Sequence, residues 1–179
     1  MSAVSKLRAQ HESEGSTISR YISEMLASKP RMMHKFQYQG SEQDYLFEAD
    51  YDHNNSGKGC ENCDEGCLLI REPRDTTDPV IHYGLIGSAN QVMRHGATRE
   101  KLRKEKGILC FEMEAAGLMD NFPCLIIRGI CDYSDTHKNK RWQPYAAATA
   151  AAYAKELLEL ITVTSVTRTK EATEIMKAG

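Results

Sequence analysis

What the sequence lacks already narrows its function. No apolar stretch approaches the roughly 20 residues that cross a bilayer, and the opening Met-Ser-Ala-Val-Ser-Lys-Leu-Arg has no apolar centre of the kind a secretory signal carries. Both absences lead us to expect a cytoplasmic protein with no membrane partner. An excess of one charge is missing too: 23 Lys and Arg stand against 25 Asp and Glu, a net charge of −2. No global field draws in nucleic acid, and no local basic face stands out to replace it. No internal repeat is present. What remains is 179 residues, 41% hydrophobic and 27% charged, the composition of one globular domain able to bury its own core. Six cysteines, in a compartment that keeps thiols reduced, read as free thiols or a metal site.

Between residues 16 and 29 the apolar side chains Ile18, Tyr21, Ile22, Met25 and Leu26 recur at helical spacing, with Ser16 or Thr17 as cap and Pro30 as stop. From 31 to 79 the pattern weakens, and 52–59 reads as an open loop. Regularity then returns. Residues 80–86 suggest a strand, Gly87-Ser88-Ala89-Asn90 a turn, 98–106 a charged helix closed by Gly107, and 108–111 a buried strand. Residues 112–119 open a helix, 124–131 form a near-continuous apolar run of the kind found inside a covered sheet, and Pro144 introduces an Ala-rich helix over 145–161. The domain is therefore expected to span 1–161, with a helix and an irregular Cys-containing insertion in 1–79 and an α/β core in 80–161. Residues 162–179 read as a tail or linker.

In α/β folds ligands bind beyond the carboxyl ends of the strands. Glu114 and Asp132, 18 residues apart, follow two successive expected strands, which would bring two carboxylates to one rim. One could hold hydroxyl groups as an ionised acceptor while the other, raised in pKa by partial burial, carries a proton to a leaving group. On spacing alone the two acids read first as helix caps without a catalytic task.

Three motifs, Ile86-Gly87-Ser88-Ala89-Asn90, Phe111-Glu112-Met113-Glu114-Ala115-Ala116 and Arg128-Gly129-Ile130-Cys131-Asp132, in this order and spacing, resemble the nucleoside phosphorylase superfamily. The likeness is greatest to the phosphorylase-like domain of fungal NOD-like and ankyrin-repeat proteins. It covers roughly residues 80–161 and implies a three-layer αβα fold, incomplete at the N-terminus because 1–79 holds no Gly-rich phosphate loop. The implied chemistry is cleavage of the N-glycosidic bond of a purine-type nucleoside by phosphate or water, a glycosyltransferase or N-glycosidase reaction. On that resemblance Asp132 protonates the base, Glu114 grips ribose hydroxyls, and Met113 packs beside sugar and base. Glu112, Ser88 and Asn90 would complete the substrate site, with Val92 and Met93 at the base. A proton on the base and a carboxylate near the sugar both favour an oxocarbenium-like transition state. The reaction needs no organic or redox cofactor, and phosphate would be a co-substrate. Without the phosphate loop, an exposed sheet edge and weak or absent activity are expected. The rival reading is a non-catalytic module that senses a nucleoside or packs on attached downstream domains. Self-assembly into a homo-oligomer would fit the superfamily.

The insertion supports a further reading. His53 and Cys60-x2-Cys63-x3-Cys67 supply four ligands that zinc accepts in a tetrahedral shell. Lacking a second Cys-x2-Cys pair, this loop reads first as reduced thiols and second as a zinc-stabilised interaction module. Arg128 reads as a rim or buried charge paired with an acid. His137, Lys138, Lys140 and Arg141 read as a solvated basic loop. Cys110 and Cys124 read as core packing.

Overall fold

The computed structural model describes residues 2–54 and 59–161; the expected tail at 162–179 lies outside the described residues, as does the middle of the 52–59 loop. Helix α1 (Ala3–Glu14) starts where the Ser2 hydroxyl accepts the N–H of Ser5. It buries only Leu7, too narrow an apolar stripe to show as a period in sequence. Helix α2 (Ile18–Ser28) buries Ile18, Ile22 and Leu26, one side chain per turn on a single face. The short helix α3 (Met33–Phe36) follows.

Helices α1 and α2 pack on the long Ala-rich helix near the C-terminal end of the described chain, Gln143–Glu159. Its Ala148 and Ala152 are small enough to let Ile18, Ile22, Leu26, Tyr153 and Leu157 close into one core with Leu7. Buried among them, Glu156 accepts the backbone N–H of Thr17, its hydroxyl at 2.7 Å, and shares a 3.1 Å bond with His11 Nε2. One carboxylate thus satisfies the start of α2 and ties it to both neighbouring helices.

Strand β1 (Leu85–Ser88), helix α4 (Gly96–Lys106) and strand β2 (Ile108–Glu112) form a parallel βαβ unit. Ile86 pairs with Cys110, Gly87 with Phe111 and Ser88 with Glu112. Gly107 ends α4 in the left-handed region at φ 68°, its N–H on Arg103 O at 2.9 Å, the stop read from sequence. Beyond β2 lies the short helix α5 (Ala115–Met119); the Gln143–Glu159 helix is α6.

Two strand expectations are corrected. The first strand begins at Leu85, not at residue 80, because it exists only where β2 offers ladder partners; Val80 lies exposed ahead of it. The apolar run 124–131 forms no ladder among the described residues, so the sheet there has two strands. Leu125 and Ile130 are half exposed and Cys124 is exposed rather than core. The run instead lies against α6: a Cβ on Gly129 would come within 1.9 Å of the Ala146 carbonyl oxygen. Apolar composition measures a segment's tendency to be buried and does not name its hydrogen-bonding partner.

The insertion is pinned by an antiparallel bridge between Phe47 and Leu68. Asp44 accepts from the Tyr133 hydroxyl at 2.7 Å and pairs with Arg71 at 3.0 Å. Burial and the Asp44 carboxylate push the Tyr133 phenol up to about 12, so it remains a donor.

Candidate functional site

The carboxyl end of β2 carries Phe111 and Glu112, both buried. Glu112 Oε2 accepts the backbone N–H groups of Glu114 and Ala115, each at 2.7 Å, and so caps α5. Burial pushes its carboxyl up, but the bonds from Ser88, Glu114 and Ala115, with Arg128 nearby, outweigh that and hold it below the ordinary value. Glu112 is therefore a structural anion. It also fixes the backbone of Met113 and Glu114, whose side chains are exposed at the rim.

A cavity of about 190 Å³ opens there, lined by Gln91, Val92, Met93, Phe111, Glu112, Met113, Glu114, Arg128, Asp132, Ser134 and Lys138. Sites for drug-sized ligands measure roughly 300–1,000 Å³, so this space encloses a single ring or sugar and leaves the remainder of a larger ligand at its open mouth. The expected Val92, Met93, Glu112, Met113, Glu114 and Asp132 converge on it. Ser88 and Asn90 do not line it: the Ser88 hydroxyl accepts the Ala116 N–H at 3.1 Å and bonds Glu112, serving the α5 cap.

Asp132 Oδ1 accepts the Ser134 N–H at 2.9 Å and the Lys138 ammonium at 2.8 Å. Burial raises its pKa, yet these bonds and the Lys138 charge win and hold it below the ordinary carboxylate value. The expectation of a carboxyl raised by partial burial is thus corrected, since the desolvation is answered by a cation. Lys138, read from sequence as solvated, is that cation. Ser134 takes the left-handed region at φ 55°, uncommon for a residue with a Cβ, and so aims its N–H at Asp132. Arg128 faces the cavity from an exposed position and acts electrostatically on Glu112. Sequence reasoning set aside Arg128 and Lys138 and did not single out Ser134. For Arg128 and Lys138, the available clue was a cation within a few residues of an expected site acid.

A second cluster lies in the insertion. One ligand atom from each of His53, Cys60 and Cys63 lies within 4.8 Å of the others. Cys67 is outside this group, and so is His137, whose ring centre lies 5.4 Å from that of His53. The 3₁₀ turn Glu65–Cys67 and the bond from the Glu48 N–H to the Cys67 carbonyl, at 2.9 Å, hold that cysteine on the Phe47–Leu68 pairing side.

The chain is similar to a protein of Hyaloscypha variabilis named a nucleotide-binding leucine-rich repeat (NLR)-like protein, 41% identical over 161 residues. The match takes in 90% of this chain and 16% of that relative, so the chain corresponds to a small part of a much longer protein. No protein-family description matches the chain, and no solved structure matches it. Among the described residues no helix is long and apolar enough to cross a membrane.

Proposed function

We propose that this chain is a nucleoside-recognition unit of a larger NLR-like signalling protein, built on a nucleoside phosphorylase-like αβα scaffold. The observation that carries the reading is the convergence of Glu114, Met113, Val92, Met93 and an ionised Asp132 on one cavity. The Glu114 carboxylate, whose only described bond is from the Met113 N–H at 3.1 Å, offers lone pairs to vicinal ribose hydroxyls. Met113 supplies a polarisable thioether against sugar and base. Asp132 and Lys138 present an acceptor and a donor side by side, which suits the mixed edge of a purine. An aspartate that already holds a lysine is a recognition group more than a ready proton donor, so the reading favours binding over turnover.

The second reading is N-glycosidic cleavage. It is favoured by Glu114 and Asp132 sharing one rim, where electron density gathering on a departing purine would draw a proton from an acid at the Asp132 position. The test measures melting of the chain with adenosine, inosine, guanosine and uridine, and release of free base with and without phosphate. Purine nucleosides should raise the melting temperature without base release. Release that disappears in Asp132→Asn would establish the second reading, and neither stabilisation nor release would end both.

A further inference from the structure

The insertion holds a constellation that the nucleoside site does not use. His53 and Cys60 are half-buried and Cys63 is buried, their ligand atoms grouped within 4.8 Å. His53 Nε2 lies 3.0 Å from the Gly59 carbonyl oxygen; a carbonyl only accepts, so Nε2 carries the proton and the lone pair is on Nδ1. A backbone carbonyl holding the distal N–H is the usual outer support of a metal-bound histidine.

The second observation comes from the other side of the chain. His137 is 7% exposed, and neither ring nitrogen has a hydrogen-bond partner among the described residues. Nδ1 stands 3.8 Å from Asp135 Oδ2, a carboxylate placed as the outer partner of a metal-bound imidazole, which leaves Nε2 as the ligand atom. Its ring centre lies 5.4 Å from that of His53, with the planes at 62°. Two imidazoles on one tetrahedral zinc, with Zn–N of about 2.0–2.1 Å, place their ring centres about 5 Å apart.

We infer that His53, Cys60, Cys63 and His137 bind one structural Zn²⁺, with His137 in the place that chain spacing assigned to Cys67. Each coordinating cysteine gives up its thiol proton to solvent and donates a sulfur lone pair. Two thiolates and two neutral imidazoles then balance the dication. The donor set is soft and closed, as in structural zinc sites. The metal joins the insertion to the segment that carries Asp132 and Lys138, which the Thr136 hydroxyl already ties to the His53 N–H at 2.8 Å. The inference stands independently of the nucleoside reading.

The experiment uses the whole chain purified without chelator, then stripped and titrated with zinc or cobalt. Equimolar zinc is expected, and the cobalt form should show thiolate charge-transfer and tetrahedral visible bands. Cys60→Ser and Cys63→Ser should each lower affinity roughly tenfold or more, as should His137→Gln, while Cys67→Ser leaves it unchanged. Stripped wild-type chain that keeps its circular dichroism but takes up neither metal would overturn the site, whatever the variants do. Loss of metal on Cys67→Ser with retention on His137→Gln would overturn the assignment of the fourth ligand.

Discussion

In the helical layer Ile18 is 1% exposed and Leu157 7%, whereas on the βαβ unit Leu85 is 54% and Leu109 49% exposed. The two regions differ in their means of hiding apolar side chains. Helices α1, α2 and α6 satisfy their backbone within themselves and need only side-chain contact, which three helices can give one another. A parallel sheet buries both faces only when helices cover them, and two strands are below the number that stands alone. Stability in this chain therefore comes from the helical layer, and the site is built on the region that contributes less. Function often occupies the less protected part of a domain.

The largest test of that division is a pair of truncations. Ile18→Ala removes a fully enclosed side chain and should cost about 2–5 kcal/mol. Leu109→Ala, on the open strand, should cost less than about 1 kcal/mol. Urea midpoints of the two variants measure the contrast directly, and equal losses would mean that the strand is covered in solution. Next comes Glu156→Gln. The amide keeps an acceptor for Thr17 but brings a donor to a place that supplies donors already, and about 1–3 kcal/mol should be lost. Its partner substitution on the sheet side is Glu114→Gln, which leaves the fold alone because that carboxylate is exposed and accepts one local bond.

The legibility of the sequence follows the same division. Residues 16–29 and 145–161 read correctly as helices because Ile18, Ile22 and Leu26 repeat at the helical period and Pro30 and Pro144 punctuate it. α4 was legible from Gly107, whose left-handed φ only a residue without Cβ takes freely. Strands were less legible, since each depends on a partner the local pattern does not name. Residues 80–83 and 124–131 carry strand-like composition without a ladder. At the site, the motif residues reached the cavity because the end of β2, residues 111–114, and the segment 132–134 beyond the apolar run both line it. Lys138 and His137 were misread because loop charges are usually solvated. Cys67 stands apart from the His53, Cys60 and Cys63 group because nearness in sequence is not nearness in space.

Acid separates the regions in another way. Glu112 sits below the ordinary carboxylate value of 4.5 when folded and Asp132 below 3.8. A depressed folded pKa contributes stability that is present above the unfolded value and lost as pH falls through the folded one. Stability should therefore hold at neutral pH and decline below about pH 4.5, with hydrogen exchange rising first in β2 and α5. Glu112→Gln removes that group's titration and should flatten the decline while lowering stability at neutral pH, since a neutral amide oxygen would take the two N–H groups that the anionic Oε2 now accepts. A decline of the same steepness in the variant would assign the acid sensitivity elsewhere.

The smallest effect on stability is the most informative about function. Lys138 and Asp132 pair at 2.8 Å with side chains 23% and 15% exposed, and partly solvated pairs contribute about 0–1 kcal/mol. Lys138→Met should therefore change the urea midpoint little. Removing the cation takes away what holds Asp132 low while burial still pushes it up, so the Asp132 pKa should rise, which carbon-detected titration of its carboxyl measures. If Asp132 acts as an ionised acceptor beside a lysine donor, purine-nucleoside affinity should fall roughly tenfold, the loss of one charge-assisted hydrogen bond. If the chain instead turns nucleosides over with Asp132 as the proton donor, the same substitution should leave a more readily protonated acid and shift the activity optimum upward in pH. One variant, folded in either case, thus distinguishes recognition from catalysis by the sign of its effect.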